Sequence, residues 1–300
     1  MELPLVVGVD GSESSLLAVD WAVDEAARHG LPLRLVHASL WERYERVGPS
    51  FGANRPAGEV MAQNIVASCA ERAQLRDPHV KVSANVVAAD AVSTLLRAGS
   101  EAFALVTGVR GRGEVAGLLL GSVSLTVAAR AMCPVVVVRG EERDLGGSAG
   151  RVVVGVGDST GGTGAVRFAA REAEARGWAL TAVRAWRSPV HEPDSPTAES
   201  VPGEDPRLAA DAAGAPEEQA SANLDDALRE VARESPGVDV SRRAVEGPAH
   251  RVLLEASADA DLIVVGAQRR HGHFGLQLGS VAHALLHHSA CPVAVVPHRV

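Results

Sequence analysis

The chain repeats itself, and this repeat constrains its fold more than any other feature. The sequence Leu-Gly-Ser-Val occupies residues 120–123 and again 278–281, and Cys-Pro-Val occupies 133–135 and again 291–293. Both pairs are separated by 158 residues (278 − 120 and 291 − 133). The length of 300 residues allows two domains of the usual ~150 residues each. We therefore expect two copies of one domain in tandem.

The beginnings of the two copies define their limits. Val-Val-Gly-Val stands at residues 6–9 and again at 153–156, which is an offset of 147 residues, so the second copy is longer by 158 − 147 = 11 residues. The stretch 188–216 is rich in Pro, Glu and Ser, and we predict a solvated loop there.

A polar, glycine-rich segment separates the copies. It predicts a flexible linker at 141–150, between a nucleotide-binding domain at 1–140 and a repeat with a degenerate binding motif at 151–300.

Short valine-rich runs alternate with segments of helical period in both copies, a pattern typical of a parallel sheet flanked by helices. Ser12, Asp90 and Ser122 are predicted N-caps of helices that run to residues 27, 98 and 131. The fold predicted for each copy is an open, parallel five-stranded α/β sheet with helices on both faces, of Rossmann-like type. In the first copy the predicted strands are residues 3–9, 33–37, 80–87, 105–107 and 135–138.

Composition excludes several functions. Twenty-nine basic against 37 acidic residues give a net charge of −8, which argues against nucleic acid or an anionic membrane as partner. Lys81 is the only lysine and does not follow a glycine, so there is no Walker-type phosphate loop. The three cysteines are widely spaced, the N-terminus does not resemble a signal peptide, and no apolar run is long enough to span a membrane. A cytoplasmic location is expected.

A glycine-rich loop after the fourth predicted strand is the main candidate site. Gly108, Gly111 and Gly121 let the backbone approach a ligand, and Ser122 opens a helix whose free N–H groups suit an anion. Asp10 follows the first strand at the same edge of the sheet, where a carboxylate can accept hydrogen bonds from a ribose diol. Sugar and phosphate together indicate a nucleotide, with an affinity nearer micromolar, about −8 kcal/mol.

The spacing Gly-x2-Gly-x9-Gly-Ser from Gly108 to Ser122, with Val-Gly-Val-Asp-Gly-Ser before it and Cys-Pro-Val-Val-Val-Val after it, closely resembles the ATP-binding class of universal stress proteins. The resemblance implies that Asp10 contacts ribose. It implies pairing of the last strands of the two halves as an intrachain dimer, a possible homodimer, and a nucleotide-responsive regulator of stress response or dormancy whose partner is not identified. The ligand-binding residues that it implies are Val9 and Val36 beside adenine, and Gly108, Gly111, Gly121, Ser122 and Ser124 around the phosphates.

The second copy departs from this pattern. Gly157 stands where Asp10 is expected, with Asp158 one residue later, and Arg269 stands where Gly111 is expected. Gly-Ser at 279–280 is retained, and Arg269 and Arg270 offer positive charge. We predict an empty or weak second site, and hence one tightly bound nucleotide per chain.

Two alternatives to a regulator remain open. ATP, with or without Mg²⁺, could be slowly hydrolysed or used for phosphotransfer with help from Asp10 or Glu114, although no catalytic residue is predicted. Alternatively, the repeat could be a ligand-free scaffold that only pairs strands.

Other chemistry-bearing residues have simpler interpretations. His283 and His287 share a helix face at a metal-chelating spacing but lack an acidic third ligand nearby in sequence, so no metal site is predicted. Cys133 and Cys291 are interpreted as small buried side chains, with redox sensing as the alternative. Arg110 and Arg112 are either exposed loop cations or phosphate partners.

Overall fold

The computed structural model describes residues 2–40, 57–111, 120–140, 147–157, 162–188, 206–267, 270–272 and 275–298. The N-terminal copy contains nine elements within this described part: β1 Leu5–Gly8, α1 Glu13–His29, β2 Leu33–Ala38, α2 Ala57–Arg76, β3 Val82–Val87, α3 Ala91–Gly99, β4 Ala104–Gly108, α4 Ser122–Arg130 and β5 Val135–Val138.

The C-terminal copy repeats this order of strands and helices with additions. Its described elements are β6 Arg151–Gly155, α5 Gly162–Arg176, β7 Ala179–Trp186, α6 Pro206–Leu228, α7 Val231–Glu234, β8 Val240–Glu246, α8 Ala249–Ser257, β9 Leu262–Ala267, β10 Arg270–Gly272, β11 Gly275–Gln277, α9 Ser280–His288 and β12 Val293–Pro297.

One ten-stranded sheet runs through both copies, in the order β3-β2-β1-β4-β5-β12-β9-β6-β7-β8. Neighbouring strands within each copy are parallel, which confirms the α/β fold class and the five parallel strands predicted for each domain. The pairing of the last strands that the resemblance implied is confirmed, because β5 and β12 pair antiparallel, with Val137 opposite Val293, and this pairing makes one sheet of the two. The last strands therefore join the copies edge to edge.

Burial on both faces explains why the strands are runs of valine and leucine rather than alternating sequences. In β1, Leu5 and Val7 pack on the side of α1 and α2, whereas Val6 packs against Leu95 of α3 and Val127 of α4 on the other side. Helices thus cover both faces of the sheet.

Two of the three predicted N-caps are confirmed. Ser12 accepts a hydrogen bond from Ser15 N at the start of α1, and Asp90 accepts one from Ser93 N at the start of α3. The third prediction is wrong: the N-cap of α4 is Gly121, and Ser122 is already helical. Gly121 N–H donates to Val109 O at 2.8 Å, so the chain closes the loop at Gly121 and begins the helix at the next residue.

The long loop predicted at 188–216 is wrong in its last part, because α6 starts at residue 206 and includes Pro216. Residues 189–205 lie outside the described residues. So do residues 141–146 of the predicted linker, whereas its end is held in place, since Asp261 accepts hydrogen bonds from Ala149 N and Arg151 N. The domain limits 1–140 and 151–300 stay a prediction.

Candidate functional site

A cavity of about 380 Å³ opens at the carboxyl ends of the N-terminal strands. It lies where β1 is flanked by β2 on one side and by β4 on the other. The chain order reverses at this point, and open α/β sheets bind ligands at such a switch point. All eight residues predicted to bind the ligand line the cavity: Val9, Asp10, Val36, Gly108, Gly111, Gly121, Ser122 and Ser124.

Asp10 is positioned by the turn that follows β1. Its Oδ1 accepts hydrogen bonds from Ser12 N at 3.0 Å and Ser12 Oγ at 2.6 Å, while Gly11 supplies the positive φ of 76° that the turn requires. These bonds fix the carboxylate on one lip of the cavity. Gly111 lies against it, because a Cβ at Gly111 would come within 2.7 Å of Asp10 Oδ2.

The start of α4 forms the opposite lip. Its N-cap Gly121 provides no side-chain hydrogen bond, and the first three N–H groups of an α-helix have no acceptor within the helix. Ser122 is exposed and lines the cavity. Because the N-cap is Gly121 and not Ser122 as predicted, no side chain occupies the N–H groups at the start of the helix. These groups are therefore open to an anion.

Ser124 and Gly108 connect this lip to the sheet. The buried Ser124 hydroxyl donates to Gly108 O at 2.8 Å, so its proton is already used, although its oxygen can still accept a hydrogen bond. A Cβ at Gly108 would lie 2.3–2.6 Å from Ser14 Oγ and backbone atoms. Gly108 thus allows the first turn of α1 to pack onto the end of β4.

The remaining wall is apolar. Val9 and Val36 are almost fully buried, and Ala38, Ala91 and Leu95 complete this side of the cavity. The last three residues were not predicted. Ala38 could have been found, since it ends β2 at the same sheet edge, but Ala91 and Leu95 belong to α3, which only the tertiary fold brings over the cavity.

His37, next to Ala38 in β2, was also not predicted from the sequence. It is buried, and its Nδ1 lies 2.7 Å from Val9 O, so it ties the end of β1 to β2 directly behind the cavity. Arg110 is exposed and lines the cavity, and its N–H donates to Ser14 Oγ at 3.2 Å. Arg112 and Glu114 lie outside the described residues.

The C-terminal copy differs at the equivalent places. Gly157 offers no carboxylate, and Asp158 and Arg269 lie outside the described residues. The buried Arg184 stands at the position of His37, with Nη1 3.4 Å from Val156 O. The segment that matches the glycine loop contains the antiparallel pair β10 and β11, which was not predicted.

All three cysteines are buried and form no disulfide, and the burial of Cys133 and Cys291 agrees with their interpretation from the sequence. Burial raises the pKa of the Cys69, Cys133 and Cys291 thiols to about 11. Among the described residues, no helix is both long and apolar enough to cross a membrane.

The fold and the cavity together define a tandem α/β protein. Its N-terminal copy has a cavity at the switch point of the sheet, where such folds bind small molecules. The universal stress protein family model matches the chain twice, over residues 3–139 and 149–297, and the chain belongs to this family.

Relatives share the tandem arrangement over their whole length. A universal stress protein of Mycobacterium tuberculosis is 33% identical over 297 residues, which cover 97% of this chain and 96% of the relative. One from Mycolicibacterium smegmatis is 31% identical over 317 residues, covering 99% and 98%. The crystal structure of a universal stress protein from Archaeoglobus fulgidus superposes with a TM-score of 0.65 at 18% identity and covers 99% of this chain and 98% of that one, which shows the shared fold.

Adenine nucleotides have been seen in smaller members of the family. One solved universal stress protein from Archaeoglobus fulgidus is a complex with dAMP and another solved member is a complex with cAMP; each aligns with 46% of this chain, with TM-scores of 0.35 and 0.36.

Proposed function

We propose that the N-terminal copy binds ATP and that its occupancy regulates what the protein contacts during stress or dormancy. One observation carries this proposal. A single cavity joins a fixed carboxylate, an uncapped helix N-terminus and an apolar wall, and these are the three chemistries that a ribose, a phosphate chain and a purine need. Its volume of about 380 Å³ lies within the usual range of small-molecule sites.

Each end of the nucleotide has a matching group. The Asp10 carboxylate accepts hydrogen bonds from the ribose hydroxyls, and the N–H groups of Ser122 and Val123 donate to the phosphates at the start of α4. Val9, Val36 and Leu95 face the base. Asp10 is the one acidic side chain among the described lining residues, so Mg²⁺, if it accompanies ATP, is held mainly by phosphate oxygens.

Regulation follows from the contacts between the glycine loop and α1. Arg110 N donates to Ser14 Oγ at 3.2 Å, and Arg110 O lies 3.4 Å from Ser12 Oγ, whose proton is shared with Asp10, so the loop and the start of α1 are held together. A nucleotide that binds one arrangement of this loop more tightly than the others shifts the population toward it. A partner then recognises that arrangement.

The test is isothermal titration calorimetry with ATP on the whole chain and on two matched variants. We expect one site per chain with a Kd in the micromolar range, about −8 kcal/mol. Gly121→Val places a branched side chain at the N-terminus of α4 and should weaken binding at least about tenfold, while Gly279→Val makes the same change at α9 and should have no effect. Gly121 and Gly279 both have backbone angles that valine adopts, with φ of −71° and −61°.

Three results would contradict the proposal. Equal loss of binding in the two valine variants would remove the assignment to the N-terminal copy, and two equal sites per chain would contradict the weak second site. Absence of any ATP binding would leave the ligand-free scaffold.

A second assay separates a regulator from an enzyme. Steady phosphate release from ATP that Asp10→Ala abolishes would favour slow hydrolysis. Binding without turnover would favour regulation.

A further inference from the structure

A buried cluster of charged side chains lies between the two copies, far along α1 from the nucleotide crevice. Glu25 and His29 occupy the last two turns of α1, and Glu172 and Arg176 occupy the last two turns of α5. Glu172 and Arg176 follow Glu25 and His29 by 147 residues (172 − 25 and 176 − 29), the offset of the first-strand repeat. The two copies therefore contribute equivalent positions, with an arginine in one where the other has a histidine.

Three ligand atoms converge within this cluster. His29 Nε2 lies 3.3 Å from Glu25 Oε1 and 3.4 Å from Glu172 Oε1, and all three atoms lie within 4.8 Å of one another. Among the residues that the structure describes, His29 Nε2 and Glu172 Oε1 are buried atoms with no aligned hydrogen-bond partner. The Glu172 side chain is fully buried, and an unpartnered polar atom at such a place costs free energy.

Arg176 contacts the other oxygen of each carboxylate. Its guanidinium bonds Glu25 Oε2 and Glu172 Oε2, both at 2.5 Å, with a longer contact of 3.4 Å to Glu25 Oε1. The rings of Trp21 and Trp178 cover the guanidinium at 5.6 and 5.2 Å. Arg176 is thereby fixed, and it orients the two Oε1 atoms toward His29, as outer groups do for metal ligands.

We propose that Glu25, His29 and Glu172 bind a divalent cation of the zinc type between the two copies. Four ligands at about 2.0–2.1 Å from a tetrahedral zinc ion lie about 3.3–3.4 Å from one another, which matches the two separations from His29 Nε2. Imidazole and carboxylate are both common zinc ligands, and a water molecule is the usual fourth ligand when the protein supplies three.

The net charge of the buried side chains bears on whether a cation binds here. The two ionised carboxylates face the positive charge of Arg176 within the buried cluster, while Arg28 reaches Glu25 Oε2 only at 3.4 Å from a more exposed position. With His29 neutral these three groups carry a net charge of −1, so added positive charge, from a cation or from a proton on His29, is favoured there. Without a metal, burial and the neighbouring Glu25 charge raise the pKa of Glu172 to about 7, and the nearby carboxylates of Glu172 and Glu25 raise the pKa of His29 to about 9. Protonation is thus the competing way to balance the cluster.

Measuring the metal content of the protein distinguishes a bound cation from protonation of the cluster. The whole chain, freed of metal with a chelator, is equilibrated with ZnCl₂ in the presence of excess Mg²⁺, and bound zinc is measured by elemental analysis. We expect one zinc per chain at this site and a tetrahedral Co²⁺ absorption spectrum when cobalt replaces zinc. Mg²⁺ should not compete, because it requires octahedral oxygen ligands.

Variants locate the ion. Glu172→Gln keeps the shape of the side chain, and His29→Gln replaces the imidazole with an uncharged polar side chain; each removes a ligand and should weaken zinc binding at least about tenfold. The matched control is the double variant His283→Gln, His287→Gln, which removes two histidines at a metal-chelating helical spacing and should leave this site unchanged. His29 is at the edge of the cluster with 15% of its side chain exposed, so its variant is expected to fold even if Glu172→Gln does not.

Calorimetric ATP binding shows whether each variant is folded. The proposal is overturned if wild type and His29→Gln bind zinc equally, or if only the His283 and His287 double variant loses zinc. A wild-type chain that takes up no zinc would show that the cluster is balanced by protons alone.

Discussion

At the scale of single residues, two glycines of the crevice lack a side chain for different reasons. Gly108 faces the backbone of Ser14, which cannot move without shifting the whole of α1. Gly111 faces only the end of the Asp10 side chain. Sequence reasoning assigned both glycines to close approach of a ligand, whereas the structure shows that Gly108 is already required by packing.

This difference predicts that the same substitution acts on stability at Gly108 and on ligand binding at Gly111. Gly108→Ala should lower the free energy of unfolding by about 1–3 kcal/mol, because overpacking against backbone is costly. Gly111→Ala should leave that free energy nearly unchanged and weaken ATP binding by displacing Asp10. Urea unfolding and calorimetry on both variants check this, and a stability loss that is larger for Gly111→Ala would contradict it.

The cysteines lead to a prediction about reactivity. A pKa of about 11 leaves on the order of one thiol in a thousand as thiolate at pH 8, whereas an unfolded cysteine has many more. All three cysteines should react with iodoacetamide about 100-fold or more slowly in the folded chain than in urea, and the rate should rise with pH. Mass spectrometry of tryptic peptides measures each site. A single cysteine that reacts equally fast in both states would support redox sensing instead.

At the scale of elements, the seam between the copies, where β5 pairs with β12, is stabilised by side-chain hydrogen bonds as well as by strand pairing. Arg139 directly follows β5, and its guanidinium donates to the carbonyls that end α9 of the other copy: Leu286 O at 2.6 Å, His287 O at 3.0 Å and Leu285 O at 3.4 Å. The last carbonyls of a helix have no partner within it, and a cation there also suits the helix dipole. Arg139 therefore caps a helix across the repeat boundary.

Removing this cap should destabilise the molecule. Arg139→Ala is expected to lower the free energy of unfolding by about 1–3 kcal/mol, since it leaves several partly buried carbonyls unpaired. Arg130→Ala is the matched control, because Arg130 ends α4 on an exposed surface and should change stability by less than about 0.5 kcal/mol. Denaturant unfolding monitors both, and equal effects would show that the bonds to α9 contribute little.

At this scale the sequence predicts a feature when residues close to it in the chain determine that feature. The valine runs gave the strands, and Ser12 and Asp90 gave two helix starts, since these depend on neighbouring residues. The cap at Gly121 was missed because a loop hydrogen bond to Val109 sets it. Contacts across the repeat, such as the one between Glu25 and Arg176, have no local signal. The 147-residue offset that relates Glu25 to Glu172 and His29 to Arg176 is the one trace that the sequence carries.

At the scale of the whole molecule, the two copies share their interior. On one face of the sheet, Val136 of β5 and Ala294 of β12 belong to the same cluster of buried side chains, and on the other face Val137 and Val293 do. The antiparallel seam between these strands is buried on both faces. The sequence indicated two domains, but their joining into one sheet makes separate unfolding of the copies costly.

A ligand of one copy should therefore stabilise both. With ATP at about 100 times its Kd, binding to the folded state alone adds about 2.7 kcal/mol to the free energy of unfolding. We expect one calorimetric transition that moves to higher temperature as a whole, and slower hydrogen exchange in β6 and β9 of the C-terminal copy as well as in β1 and β4. At the same ATP concentration Gly121→Val should reduce the shift to about half or less, and Gly279→Val should retain it. Two transitions, of which ATP moves only the first, would show that the seam does not couple the copies, because each would then unfold with its own free energy.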